Sequence, residues 1–241
     1  MREDRGRLVW GPLVQGVLIR RYKRFLADVR LRNGRVVTAH CPNTGSMLGC
    51  SEPGRPVYLS RHNHPARRLK YTWEIIEMPT SLVGINTIVP NRLIKIAVQE
   101  GFIQPLAGYS QVRSEVRTGA HSRLDLLLEN EGRRPCFVEV KNCTLVDAED
   151  GGVAYFPDAV TTRGQKHLME LSRLIKNGNR GVMVFLIQRM DARVFRPARH
   201  IDPEYSRILK NVVGEGVEVL AYDVRISLEE IIVNRSVPVE I

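Results

Sequence analysis

The stretch from Ser122 to Leu145, SRLDLLLENEGRRPCFVEVKNCTL, constrains this chain more than any other. Two runs of strand-forming residues, Leu124 to Glu129 and Phe137 to Thr144, flank a polar turn containing Asn130, Gly132 and Pro135, a pattern that predicts a hairpin. Strand side chains alternate between faces, so Glu139 and Lys141 share one face while Val138, Val140 and Asn142 take the other. Pairing of the two strands brings Asp125 alongside Glu139. Two carboxylates and an ammonium then share one patch of sheet, an arrangement suited to metal-dependent phosphodiester chemistry. The carboxylates hold a hard cation, magnesium or manganese, that keeps several waters, and substrate phosphate completes its shell. The lysine stabilises the attacking hydroxide or the charge developing on phosphorus. Asp125 and Glu139 are therefore the expected metal ligands, and Lys141 completes the catalytic set.

The pattern Asp…Glu-x-Lys resembles the PD-(D/E)xK nuclease core, although the wet face of an ordinary hairpin also produces Glu-x-Lys. Charge adds a second constraint. The 241 residues carry 36 Lys and Arg against 26 Asp and Glu, a formal net charge of +10. Most of the positive charge is arginine, whose guanidinium makes bidentate phosphate contacts. The expected partner is a polyanion, with nucleic acid ahead of an anionic membrane. Met1 to Arg7 is charged and is followed by no apolar segment of a secretory signal, and runs such as Val182 to Ile187 are too short to span a bilayer. Cys41, Cys50, Cys136 and Cys143 lack zinc-site spacing. A cytoplasmic protein with reduced thiols, no membrane association and no obligate protein partner is expected.

Before the hairpin the chain reads as short strands. Leu13 to Ile19 is the first. After it Phe25, Ala27, Val29 and Leu31 alternate with Asp28, Arg30 and Arg32, and Asn33-Gly34 predicts a type I′ turn into a partner strand over Arg35 to His40. Arg55 to Arg61 and Leu69 to Glu77 add two more. Five short strands in roughly the first eighty residues predict a small barrel of the OB type. Its surface suits nucleic acid. Arg20, Arg21, Lys23 and Arg24 surround Tyr22, and Arg67, Arg68 and Lys70 precede Tyr71, so cations can follow a phosphate backbone while Tyr22 and Tyr71 stack on bases. Phe25 and Trp73 are expected in the core. The strand pattern ends between Met78 and Ile85, which places an OB-like domain over residues 1–80 and a second domain over residues 84–241.

In that second domain Asn91 to Glu100 reads as a helix after Pro90, and Ser110 to Arg117 as a strand leading into the hairpin. A second helix carries an apolar stripe at Val160, Leu168, Leu171, Leu174 and Ile175 and stops near Gly178. Val182 to Gln188 is a nearly continuous apolar run, as in a central strand; Asp202 to Val213 is a third helix, and Val217 to Val224 a final strand. This order predicts an α/β domain with a mixed sheet, α+β for the chain as a whole. In the first turns of the second helix, Gln165 and Lys166 are the expected contributors to the catalytic patch, and Arg163 is placed to grip the backbone.

Several longer runs, RYKRFLADV, HCPNTGSM, SRLDLLL, VEVKNCTL, FPDAVTTRGQKHL and PARHID, together resemble the SfsA family, the sugar fermentation stimulation proteins, over nearly the whole chain from Leu13. The resemblance implies an N-terminal OB-like barrel followed by a restriction-endonuclease-like PD-(D/E)xK domain. It also implies binding to DNA, single- or double-stranded, with little sequence preference, and a link to sugar-utilisation genes. Carried over by residue, the site is Asp125, Glu139 and Lys141, with Gln165 and Lys166 from the helix. One departure is visible: nucleases of this class commonly add an acid from the helix before the first strand, where this chain offers only Glu100 at the last turn, with Glu115 on the following strand as another candidate. A thin acidic shell weakens magnesium binding, which leaves two expectations for the site: active, or vestigial with DNA binding alone retained. The competing expectations are a sequence-specific regulator of sugar metabolism without catalysis, for which no helix-turn-helix or zinc-finger signature is present, and an RNA-processing nuclease.

Overall fold

The computed structural model describes residues 6–119, 122–148 and 150–241; the charged segment Met1 to Arg5 lies outside the described residues. The first half of the chain is built on β2 (Leu13–Tyr22), β3 (Leu26–Leu31), β4 (Val36–His40), β5 (Pro56–Arg61), β6 (Tyr71–Glu77) and β7 (Leu82–Gly84), preceded by β1 (Arg7–Val9). Strands pair in the order β4-β3-β2-β5-β6-β7, and a β4–β6 contact at His40 and Thr72 closes the first five into a barrel. This is the OB-like architecture that the spacing predicts. Alternation fills its core with Leu18, Ala27, Val29, Val57, Leu59 and Trp73.

Three expectations need correction here. Phe25 is 48% exposed at a turn, where Lys23 and Arg24 both adopt positive φ, so its ring has no core to enter. The Asn33-Gly34 turn is not type I′. Gly34 alone has positive φ, and its N–H donates to the Leu31 carbonyl while Leu31 pairs with Arg35, which makes a type I turn with a glycine bulge. The region after Met78 still forms a strand, β7, paired with β6.

The second half supplies α1 (Val89–Gln99), β8 (Gln111–Arg117), β9 (Arg123–Glu129), β10 (Cys136–Cys143), β11 (Leu145–Asp147), β12 (Val153–Phe156), α2 (Thr162–Lys176), β13 (Arg180–Ile187), β14 (Val194–Pro197), α3 (Pro203–Gly214), β15 (Glu218–Ile226) and β16 (Glu230–Ser236). A seven-stranded mixed sheet runs β1-β16-β15-β13-β10-β9-β8, with β10, β13 and β15 parallel. The small sheet β11-β12-β14 lies beside it. β1 pairs with β16, so residues 7–9 belong to this sheet and not to the barrel.

β13 explains why the sheet is sandwiched. Val182, Val184 and Leu186 face the core beneath α1, while Met183, Phe185 and Ile187 face the core beneath α2 and α3. With apolar groups on both faces, only helices on both sides remove it from water. Leu168, Leu171 and Leu174 form the buried stripe of α2; Val160 precedes the helix and is 69% exposed, so it does not belong to that stripe. Tyr58 and Ile75 of the barrel are buried in the α1-side core, and Gly84 N–H donates to the Gln188 carbonyl at 2.9 Å, so the two halves share apolar and polar contacts.

Candidate functional site

The β9–β10 ladder pairs Leu128 with Cys136, Leu127 with Phe137 and Leu126 with Val138. One step further, at Asp125 and Glu139, the strands part. Leu126 and Leu128 pack on the α1 side of the sheet, but Leu124 packs on the α2 side, so β9 changes face at Asp125. The Asp125 carboxylate turns onto the neighbouring backbone. Its Oδ2 accepts from Val140 N–H at 2.8 Å, and its Oδ1 accepts from the Asn91 amide, in the first turn of α1, at 2.6 Å. Burial and the nearby Glu139 charge push the Asp125 carboxyl up to about 7, against the opposing pull of Val140 N–H, Lys141 and Asn91.

Glu139 is 2% exposed. Its Oε1 accepts from Lys141 Nζ at 2.5 Å and contacts Nδ1 of His167 on α2, which itself lies 3.1 Å from Lys141 Nζ. Burial opposes the Glu139 charge, but the Lys141 ammonium and His167 outweigh it and hold the carboxyl below its ordinary value. The other oxygen, Oε2, is buried with no hydrogen-bond partner among the described residues, and so is the Tyr205 hydroxyl. An unsatisfied buried acceptor costs on the order of 1–3 kcal/mol, more when charged.

These features fit a hard divalent cation. One carboxylate oxygen lacks a donor, and the second carboxyl is pushed up to about 7 by burial and the Glu139 charge, a cost that a bound cation would offset. Magnesium takes one or two carboxylates plus waters and substrate phosphate. Among the described residues no group of three or more His, Cys, Asp or Glu is arranged to hold a metal, so the donors present are those of a two-carboxylate site and not of an all-protein cage.

The helix contributor differs from expectation. Gln165 Nε2 points to Asp202, 3.3 and 3.4 Å from its two oxygens, and Lys166 and Arg163 are exposed with no partner among the described residues. His167 reaches the patch instead. Its signal was present in the pattern: at about 100° per residue, His167 lies about 40° from the centre of the Leu168–Leu171–Leu174 stripe, whereas Gln165 and Lys166 lie more than about 100° away. Of the two further acids, Glu100 accepts from Gly6 N–H at 2.7 Å, away from the patch, and Glu115 is ion-paired with Arg123 at 3.0 Å. The helix before the first strand thus supplies an amide, Asn91, to the site.

The basic residues of the barrel divide into engaged and open groups. Arg20 pairs with Asp28 at 2.9 Å and lies over the Tyr22 ring at 4.9 Å, while the Tyr22 hydroxyl also donates to Asp28. Arg21 donates to the carbonyls of Arg24, Asn43, Gly45 and Ser46, so it braces the 43–46 loop with four of its five N–H groups. Arg67 donates to Thr72, Lys70 to the His64 carbonyl, and Tyr71 packs half-buried on the barrel core. Lys23, Arg24 and Arg68 are exposed, and their side chains have no partner among the described residues.

An OB barrel joined to a PD-(D/E)xK-type mixed-sheet domain is the class that this fold and acid–lysine patch define. The description "SfsA N-terminal OB domain" matches residues 19–85, and "Sugar fermentation stimulation protein RE domain" matches residues 88–230. The chain belongs to the SfsA, or sugar fermentation stimulation protein, family. It is 54% identical over 228 residues to a sugar fermentation stimulation protein homolog of Geobacter sulfurreducens, covering 95% of this chain and 96% of that protein. A homolog of Maricaulis maris is 50% identical over 230 residues, covering 95% and 97%. The solved structure described as Pyrococcus furiosus SfsA in complex with Ca2+ is similar with a TM-score of 0.88 at 29% identity, covering 97% of this chain and 98% of that one. No helix among the described residues is long and apolar enough to cross a membrane.

Proposed function

We propose that this chain binds DNA with little sequence preference and hydrolyses its phosphodiester bonds with magnesium or manganese at the Asp125–Glu139–Lys141 patch. The observation that carries this reading is Glu139, a buried carboxylate with one oxygen satisfied by Lys141 and His167 and the other without a donor, beside an Asp125 carboxyl held near neutrality. The Ca2+ named for the Pyrococcus furiosus relative supports a divalent-cation site in the family.

Asp125 and Glu139 would hold the cation, which when bound polarises a phosphodiester oxygen and makes a water more acidic. Asn91 and Val140 N–H fix the Asp125 carboxylate in place, so it loses little freedom on engaging a ligand. Lys141 brings a positive charge to where negative charge develops on phosphorus, and His167 holds that ammonium from α2. Lys23, Arg24, Arg68 and Arg163 supply phosphate contacts, which position a strand without reading its bases. Through such binding the chain would take part in control of sugar-utilisation genes; its relatives are named for stimulation of sugar fermentation.

The test is cleavage of end-labelled DNA in magnesium and in manganese by the wild type, Glu139→Ala and Lys141→Ala, with DNA affinity measured in parallel. The wild type is expected to cleave, and each variant to lose at least about 100-fold in rate while still binding. Equal rates for all three would refute the reading, and faster cleavage of an RNA of the same sequence would reassign the substrate.

A further inference from the structure

Two cavities flank the connection between the barrel and α1. The first, about 490 Å³, lies between the two domains; Arg24, Thr44 and Ser46 line it from the barrel, and Asn142, Tyr155 and Asp158 from the other domain. The second, about 590 Å³, lies beside α1, between Arg92 and Lys95 on one wall and Ser114, Glu115 and Asp125 on the other. Thr87 lines both, so the cavities adjoin at that residue, and its hydroxyl is anchored to the Pro42 carbonyl at 2.7 Å.

Each feature of this path bears on what can occupy it. Arg92 and Lys95 are three residues apart on α1 and so share a helix face, and neither has a hydrogen bond or ion pair among the described residues. Arg24 places a third open cation at the first cavity. A cavity of this size encloses a group of nucleotide dimensions, since pockets that bury small ligands span about 300–1,000 Å³. The interdomain walls are tied together: Ser46 Oγ donates to the Asp158 carbonyl at 2.6 Å, and Met47 N–H to the Asp158 carboxylate at 2.8 Å. The walls meet in these contacts, and a cleft of about 490 Å³ has room for one nucleotide unit and not for a base pair with its two backbones.

We propose that the substrate is single-stranded nucleic acid. One nucleotide unit sits in the interdomain cleft, and the chain passes Thr87 into the α1 groove, where Arg92 and Lys95 hold its phosphates beside Asp125. This deepens the phosphodiesterase reading and rests on it for why the path ends at Asp125, but strand preference and the path itself are read by binding alone.

The experiment uses fluorescence anisotropy in EDTA with three fluorescein-labelled oligonucleotides of one sequence: single-stranded DNA, single-stranded RNA and blunt duplex DNA. The wild type is expected to bind a single strand at least about 10-fold more tightly than the duplex, and the DNA and RNA arms identify the sugar. Val160 is 69% exposed at the cleft, and the four native cysteines are buried, so Val160→Cys takes a bulky maleimide at one place. Labelling should lower single-strand affinity about 10-fold relative to the same protein before labelling, and bound single strand should slow the labelling. Arg92→Glu with Lys95→Glu, both on the outer face of α1, should weaken single-strand binding by about 10-fold or more with an unchanged unfolding midpoint. Equal or tighter binding of duplex overturns the proposal, and so does a maleimide that leaves single-strand affinity unaltered. Loss of the cleavage reading alone would appear as single-strand preference with no metal-dependent cutting.

Discussion

Asp125→Asn isolates the electrostatic cost of the acid patch in the absence of metal. The Asp125 carboxyl titrates near 7 in the folded chain, against an ordinary value of 3.8, because burial and the Glu139 charge disfavour its ionised form. The folded state therefore holds this proton more tightly than the unfolded state. Stability is fully present below about pH 4, falls by about 1.4 kcal/mol per pH unit as pH rises, and levels off above about pH 7. Over the whole interval the loss is on the order of 4 kcal/mol. An asparagine carries no such titration. Its amide oxygen still accepts from Val140 N–H, and Asn91 can turn its own amide over to accept from the new NH₂ group, so both hydrogen bonds survive the change.

The assay is thermal unfolding of both proteins in EDTA between pH 5 and pH 8. At about 2–4 °C per kcal/mol for a chain of this length, Asp125→Asn should melt about 10 °C above the wild type at pH 8 and only a few degrees above it at pH 5. Magnesium should raise the wild type and leave the variant nearly unchanged, because only the carboxylate gains a ligand. A gap that stays constant from pH 5 to pH 8, or a variant less stable than the wild type at pH 8, would refute the assignment of a strained, ion-seeking carboxylate.

Three further predictions follow from individual contacts. Asp202 is 1% exposed, and its carboxylate accepts from Tyr205 N–H at 2.8 Å and Thr161 N–H at 2.9 Å, fixing the starts of α3 and α2; Asp202→Ala should cost about 2–4 kcal/mol in urea denaturation. A Cβ on Gly16 would sit 2.4 Å from Val29 Cγ1 and 2.8 Å from the Arg30 carbonyl oxygen, so Gly16→Ala should destabilise by about 1–3 kcal/mol and lower the melting temperature. If Lys23, Arg24, Arg68 and Arg163 each meet a phosphate, these four should contribute about −3 to the log–log slope of single-strand affinity against salt, and Arg68→Glu should make it shallower by about 0.7.

The sequence pattern disclosed what is local and missed what depends on distant partners. The β9–β10 hairpin was legible because its turn and both strands lie within one short stretch, and strand alternation alone put Glu139 and Lys141 on a common face. β13 was legible because a strand buried on both sides must be apolar throughout. By contrast, Arg7–Val9 is too short to read as a strand, since its partner Ile231–Ile232 lies at the other end of the chain. β16 does contain a β-branched run, Ile231 to Val233, but the strand order that gives it a place is set by β15. The short strands β11, β12 and β14 hold three or four residues each, below the length at which alternation can be recognised.

Site assembly follows the same division. Sequence periodicity fixed which residues of β10 point together, but the position of Asp125 depends on a change of face in β9, between Leu124 and Leu126, that no local propensity encodes. An α2 stripe counted from Val160 includes an exposed residue that precedes the helix. The buried stripe begins at Gly164 and Leu168, which turns His167 toward the sheet and leaves Lys166 in solvent. The consequence is chemical. A lysine or glutamine from α2 would have added a permanent donor to the patch, whereas His167 brings a ring nitrogen whose donor or acceptor role depends on its tautomer against Glu139 Oε1 and Lys141 Nζ. The patch therefore keeps one buried carboxylate oxygen, Glu139 Oε2, without a hydrogen-bond donor among the described residues, and the proposed cation site rests on that oxygen.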